Sequence, residues 1–131
     1  MLDTNIVSDL VRNPQGPVTR HIVSVGSKAV CVSIITAAEL RYGCVRKGSA
    51  KLLSQVEAIL GSIQVLAFDV PADAEYGGIR AELEAAGKSI GPNDLLIAAH
   101  ACSVGAILIT ANTGEFSRMR GLQVENWLST P

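Results

Sequence analysis

Apolar and polar positions along the chain form two kinds of segment. Short apolar runs predict buried strands, and longer stretches with helical spacing predict amphipathic helices. The predicted strands are 28–33, 63–68 and 106–110, with Met1–Leu2 as a very short apolar lead and 122–127 as an edge strand. The predicted helices are 5–12, 17–26, 36–45, 51–60, 71–87 and 94–103, with one or two further turns in 112–119. Strands that alternate with helices predict one three-layer α/β/α domain over residues 1–131, with a central parallel sheet.

Three turn signals refine the predicted helices. Thr36 and Glu39 have the spacing of a capping box, which predicts a helix that begins at Thr36. Gly61 is predicted to end the helix that contains 51–60. Asn93 follows a Gly-Pro pair and is predicted to cap the helix that begins at Asp94.

Four acidic residues stand at four separate turn points of this pattern: Asp3, Glu39, Asp94 and Glu115. A parallel α/β fold gathers such points at the carboxyl edge of its sheet, where ligands bind. Carboxylates collected there repel each other unless a positive charge lies among them. A hard divalent cation with oxygen ligands supplies that charge. The pattern therefore predicts a metal site.

Each of the four acids also has a purely local explanation. Asp3 is a suitable N-cap, and Glu39 fills the third position of the capping box. Asp94 places a negative charge at a helix start, and Glu115 follows Asn112 at capping-box spacing. No local motif links acids that are tens of residues apart, so it is their joint placement that favours a shared site.

Composition excludes several classes of protein. Hydrophobic residues make up 48% of the chain and charged residues 18%, which excludes a disordered chain. Aromatic residues make up only 4%, which argues against base stacking as the main binding force. No apolar run approaches the roughly 18 residues of a membrane span, and the start lacks the basic segment of a secretion signal. We therefore expect a cytoplasmic protein without membrane contacts.

Charge is unevenly distributed although the net charge is only −1. Residues 1–60 contain seven Lys and Arg against four Asp and Glu, whereas residues 61–131 contain four against eight. A basic cluster in the first half is formed by Arg41, Arg46, Lys47 and Lys51. Two interpretations remain open for it: a face for RNA phosphates, or a solvated helix surface.

Five motifs occur in order over nearly the whole chain. They are MLDTN at 1–5, SIITAAELRYG at 33–43, GPNDLLIAAH at 91–100, ITANTGEF at 109–116 and GLQVENW at 121–127. In this order and spacing the chain resembles the PIN-domain family. More narrowly, it resembles the VapC toxins of bacterial toxin–antitoxin pairs.

The resemblance implies a ribonuclease fold in which clustered acids hold Mg²⁺ or Mn²⁺. By position, Asp3, Glu39 and Asp94 match the acids that bind metal and act in catalysis. A fourth position is commonly Asp and is Asn112 here, which offers a carbonyl oxygen without charge. Glu115 is expected to make up part of the missing charge or to orient a water. Supporting polar positions next to the metal ligands are Thr4, Asn5 and Thr110.

The resemblance also implies partners: an RNA substrate with structure, such as tRNA, a cognate antitoxin that places a basic side chain in the acidic pocket, and a second copy in a homodimer. Apolar positions in 52–60 suit either the dimer contact or the core. Asn112 motivates an alternative from another class, a non-catalytic component that binds nucleic acid as a repressor together with an antitoxin.

His100 lies in an apolar stretch six residues after Asp94 and is predicted to be a core or interface histidine, with a functional role as the alternative. Together with Cys102 it has neither the spacing nor the further ligands of a zinc site. A phosphotransferase with Asp3 as nucleophile is disfavoured, because Asn5 stands where a second acid is expected.

Overall fold

The structure, a computed structural model, describes residues 1–128. Its helices are α1 Thr4–Arg12, α2 Pro17–Val25, α3 Ile34–Lys47, α4 Ala50–Ser62, α5 Ala72–Ala85, α6 Pro92–Val104 and α7 Thr113–Phe116. Its strands are β1 Cys31–Ser33, β2 Gln64–Leu66, β3 Leu108–Ile109 and β4 Val124–Glu125. Every predicted strand and helix is present, but the strands are shorter than predicted. The first two residues of the predicted strand 28–33 lie in a 3-10 turn, Ser27–Ala29.

The sheet is parallel, and Leu2 is its centre. β1 pairs with β2, β3 pairs with β4, and Leu2 forms parallel bridges to Val32 on one side and Ile109 on the other. The Leu2 amide donates to the Cys31 carbonyl at 2.9 Å. The resulting order is β2, β1, Leu2, β3, β4. The order reverses direction at Leu2, and this is the point where ligands bind in open parallel sheets.

Helices cover both faces of the sheet. Side chains alternate along each strand, so Leu2, Val32 and Ile109 join the core beneath α1, α2, α3 and α4. Met1 and Leu108 join a second core with α5, α6 and α7. This arrangement confirms the predicted three-layer α/β/α fold.

Two of the predicted helix starts are wrong. α3 begins at Ile34, because Ser33 is its N-cap and the Ser33 hydroxyl oxygen accepts from the Ile35 amide at 3.0 Å. Glu39 therefore lies beyond the first turn and has no capping role. α6 begins at Pro92 with Gly91 as N-cap, because proline fits the first helical position, where no N–H is needed. The predicted cap at Asn93 is accordingly absent.

Two further boundaries differ from the predictions. Gly61 lies inside α4, which continues to Ser62. Pro71 is the N-cap of α5, so the helix begins one residue later than predicted, at Ala72. No helix within residues 1–128 has the length and apolar character to cross a membrane.

The apolar positions of α4 mostly pack inside the molecule. Val56 and Leu60 are buried in the core, and Leu52 and Ile59 pack against it. Leu53 is 41% exposed. Core packing thus explains four of the five side chains proposed for a dimer contact, and the homodimer stays a prediction.

Candidate active site

Asp3 follows the central position of the sheet and is 4% exposed. Its amide donates to the Ile109 carbonyl at 2.9 Å, which fixes the residue beside the end of β3. One carboxylate oxygen accepts from the Ile6 amide at 2.9 Å, so Asp3 is indeed the N-cap of α1. Burial raises the pKa of Asp3, and hydrogen bonding from Thr110 and the Ile6 amide opposes that rise. The capping role leaves the other oxygen of the carboxylate at the carboxyl edge of the sheet.

Glu39 joins the beginnings of two helices. Its Oε1 accepts a hydrogen bond from the Thr4 hydroxyl at the start of α1. Its Oε2 accepts from Nδ2 of Asn93, at the start of α6, at 3.1 Å. These two contacts hold the carboxylate at the same edge of the sheet as Asp3.

Asp94 lies half-buried in the first turn of α6. Its pKa is raised to about 6, first by burial and then by the negative charges of Glu115, Glu39 and Asp3. A helix start favours the ionised carboxylate, and burial and repulsion outweigh that effect here. The four predicted acids therefore share one electrostatic environment, although they come from four separate segments.

The acids have no cationic partner in the part of the chain that the structure describes. None of the ion pairs found there includes Asp3, Glu39, Asp94 or Glu115. Within the same residues, no group of three His, Cys, Asp or Glu side chains lies close enough, as oriented, to enclose a metal ion. Mg²⁺ keeps several waters and takes one or two carboxylates directly. The donor set thus fits a hydrated divalent ion and does not form a closed cage.

The remaining predicted residues differ in how they are held. Thr110 is buried and its hydroxyl oxygen accepts from the Asn112 amide at 3.0 Å. Asn112 itself is exposed at the N-cap position of α7, and its side chain makes no capping hydrogen bond. The side-chain amide of Asn112 therefore faces solvent. Glu115 is close enough to Asp94 to raise its pKa. Asn5 is exposed, and its backbone amide hydrogen-bonds to Asp3.

Sequence analysis missed Asn93 as a site residue because it assigned Asn93 a capping role. Pro92 already begins the helix, which leaves the Asn93 side chain available to donate a hydrogen bond to Glu39 on α3. A Pro-Asn-Asp order at a helix start is therefore a usable signal, since proline makes the asparagine unnecessary as a cap.

A buried hydrogen-bonded pair, His100 and Ser33, was also missed. His100 is 1% exposed, as predicted for a core histidine, and its Nδ1 lies 2.8 Å from the Ser33 hydroxyl. Burial lowers the pKa of His100, an effect that the Ala67 backbone opposes. Because Ser33 also caps α3, the pair ties α6, which carries Asp94, to the start of the helix that carries Glu39.

Comparison with known proteins agrees with this fold. The family profile described as PIN domain matches residues 1–122. The chain is 39% identical over 128 residues to the tRNA(fMet)-specific endonuclease VapC of Shigella flexneri, covering 97% of this chain and 96% of that protein. It is 41% identical over 130 residues to ribonuclease VapC2 of Haemophilus influenzae, covering 98% and 97%.

A solved structure gives the same result. VapBC2 from Rickettsia felis, bound to a DNA fragment from its promoter, superposes with a TM-score of 0.90 at 33% identity and 97% coverage of both chains. The chain belongs to the PIN-domain family and, within that family, to the VapC group.

Proposed function

We propose that the protein is a divalent-metal-dependent endoribonuclease, the toxin of a toxin–antitoxin pair, which hydrolyses phosphodiester bonds of a structured RNA such as tRNA in the cytoplasm. The observation that carries the proposal is the convergence of Asp3, Glu39, Asp94 and Glu115 at the carboxyl edge of the sheet, with no cation from residues 1–128 paired to them. The names of the Shigella and Haemophilus relatives support RNA as the substrate.

The residues suit a site that holds Mg²⁺ or Mn²⁺. Asp3 and Asp94 would bind the ion directly, and Glu39 would complete the set directly or through water. When bound, such an ion lowers the pKa of an attacking water and neutralises charge on the phosphate. Thr4 and Asn93 fix the orientation of Glu39, and Thr110 supports Asp3. This support keeps the carboxylates in place while the substrate phosphate is bound.

Asn112 and Glu115 divide the role of a fourth acid in this proposal. Asn112 is exposed and brings no charge, so its carbonyl oxygen is suited to orient a water. Glu115 supplies the fourth negative charge felt by Asp94. Asn112→Asp should therefore leave RNA cleavage in place.

Asp94→Asn tests the activity. We expect the variant to fold and to lose cleavage of labelled tRNA in Mg²⁺ by at least about 100-fold, because the amide cannot replace the charge. Asp73→Asn is a matched control, since Asp73 also lies in the first turn of a helix, is exposed, and is not among the acids that raise the pKa of Asp94. Full cleavage by Asp94→Asn would remove the acids from the mechanism.

A second candidate function is repression of transcription together with the antitoxin. It is favoured by the Rickettsia relative, which was solved with its partner on promoter DNA. The two functions separate experimentally, because DNA binding by the complex does not require ionised Asp94. If the complex with Asp94→Asn still retards promoter DNA, and the free wild-type chain with Mn²⁺ cleaves no RNA, repression is the main function.

A further inference from the structure

A groove leads from the acidic site along the molecule between α1 and α3. Both helices begin at the carboxyl edge of the sheet and run in the same direction, with Thr4 on α1 bonded to Glu39 on α3. The groove has a volume of about 190 Å³, and both of these residues line it. Its near end is therefore continuous with the proposed active site.

The far end of the groove carries two cations. Arg12 lies eight residues beyond Thr4, and Lys47 lies eight residues beyond Glu39, and both line the groove. At 1.5 Å per helical residue, each lies about 12 Å from the acidic end. The matched offset along the two helices places both positive charges at the same end of the groove.

These two cations are available to a ligand. The Arg12 side chain is 67% exposed and approaches Asp9 only at 4.0 Å. Lys47 is exposed and takes part in none of the ion pairs found within residues 1–128. Arg41, by contrast, is paired with Glu57 on α4. Lys47 is the one member of the basic cluster Arg41, Arg46, Lys47 and Lys51 that lines the groove.

The middle of the groove is open on the side of α3. Gly43 lies on the α3 side, and a Cβ atom added there would meet no atom within 4 Å. Leu40 and Val56 contribute to an apolar floor against which ribose and base faces can lie. The groove thus combines an acidic end, an apolar floor and a basic end.

We propose that this groove is an RNA-backbone subsite, in which Arg12 and Lys47 hold a phosphate a few nucleotides from the phosphodiester that is cleaved. The subsite rests on the proposed ribonuclease function. RNA is favoured over a protein segment because the basic end of the groove carries two exposed cations, whose charge matches that of a phosphate. Lys47 is in no ion pair found within residues 1–128, and Arg12 approaches Asp9 only at 4.0 Å.

The first test measures binding of a fluorescein-labelled single-stranded oligoribonucleotide of mixed sequence as a function of KCl, with Asp94→Asn as the background and EDTA present. Arg12→Ala and Lys47→Ala should each weaken binding several-fold and reduce the slope of log K against log salt by about 0.7. Arg46→Ala and Lys51→Ala remove the same charge from exposed positions that do not line the groove. These controls should leave the slope unchanged.

The second test closes the groove without changing its charge. Gly43→Leu should raise KM for RNA cleavage with kcat retained, because the lost contacts are remote from the reacting atoms. Gly43→Ala is the control, since it fills little space and favours the helix. An equal rise in KM for both variants would contradict the subsite.

The outcomes distinguish the subsite from the ribonuclease function. Equal slopes for all four charge variants would overturn the subsite, while RNA cleavage by the wild-type chain would still support the nuclease. Reduced slopes in a protein that cleaves no RNA would retain the subsite and refute the nuclease. Unchanged RNA binding by Arg12→Ala and Lys47→Ala, with weakened binding of the antitoxin, would assign the groove to a protein segment.

Discussion

Asp94 is the residue at which the electrostatics of the site converge. Its carboxyl is half-buried in the first turn of α6, and three other carboxylates raise its pKa further, to about 6. The helix start alone would stabilise the ionised form. Ionisation of Asp94 therefore lowers the stability of the fold, which is typical of groups that serve a ligand and not the fold.

Asp94→Asn should therefore stabilise the metal-free fold at high pH. The pKa of Asp94 is about 6 in the folded state against an ordinary value of 3.8 for an aspartate, so the folded chain binds the proton more tightly. The resulting stabilisation is present below pH 4 and is lost as pH rises through 6. Urea unfolding in EDTA at pH 8 should show a gain of roughly 1–2 kcal/mol for the variant, after allowance for solvent screening. The gain should vanish near pH 4, and an equal gain at both pH values would contradict this account.

At the scale of single elements, the start of α3 does more than begin a helix. Ser33 caps the helix and also contacts buried His100. Ser49 likewise caps α4, with its hydroxyl oxygen accepting from the Leu52 amide at 3.1 Å, but it has no second side-chain partner among residues 1–128. The two serines therefore form a matched pair. Their comparison separates capping from the connection between α3 and α6.

Ser33→Ala should cost more stability than Ser49→Ala. Loss of an N-cap costs about 1 kcal/mol, and Ser33→Ala additionally leaves His100 Nδ1 without its partner, which costs about 1–3 kcal/mol more for a buried polar atom. Ser33→Ala should also lower kcat for RNA cleavage, because α3 and α6 carry Glu39 and Asp94. Chemical denaturation and steady-state cleavage measure the two effects. Equal losses in both variants would show that the Ser33 contact adds nothing.

The elements also show which features the sequence alone could predict. Hydrophobic periodicity located every strand and helix, because burial of one face dictates that spacing. Helix starts were less predictable, since Ser33, Thr36, Pro92 and Asn93 all suit a helix start, and tertiary contacts decide among them. The contact between Asn93 and Glu39 joins residues far apart in sequence, so no local pattern could reveal it.

At the scale of the whole molecule, the fold concentrates negative charge at one edge of its sheet. Four segments converge at one edge of the sheet and bring like charges together, and in the described residues no basic side chain pairs with them. Repulsion there opposes the burial that holds the two cores together. A ligand that binds only the folded state would offset that repulsion.

Mn²⁺ or Mg²⁺ should therefore stabilise the folded wild-type chain. At a concentration 100 times the dissociation constant the gain is about 2.7 kcal/mol by mass action. Asp94→Asn should lose most of this gain, and Asp73→Asn should keep it. Thermal unfolding with and without the metal measures the difference, and EDTA should restore the metal-free midpoint. The same gain in all three proteins would place the ion elsewhere.

The central position of the sheet has a consequence for synthesis of the chain. Leu2 pairs with Ile109, and Asp3 is supported by Thr110, so residues from opposite ends of the sequence meet at the site. Because Asp3 is made long before Thr110, a nascent chain holds its first acid without that support until residue 110 has left the ribosome. The acidic centre therefore assembles only after synthesis has passed this strand.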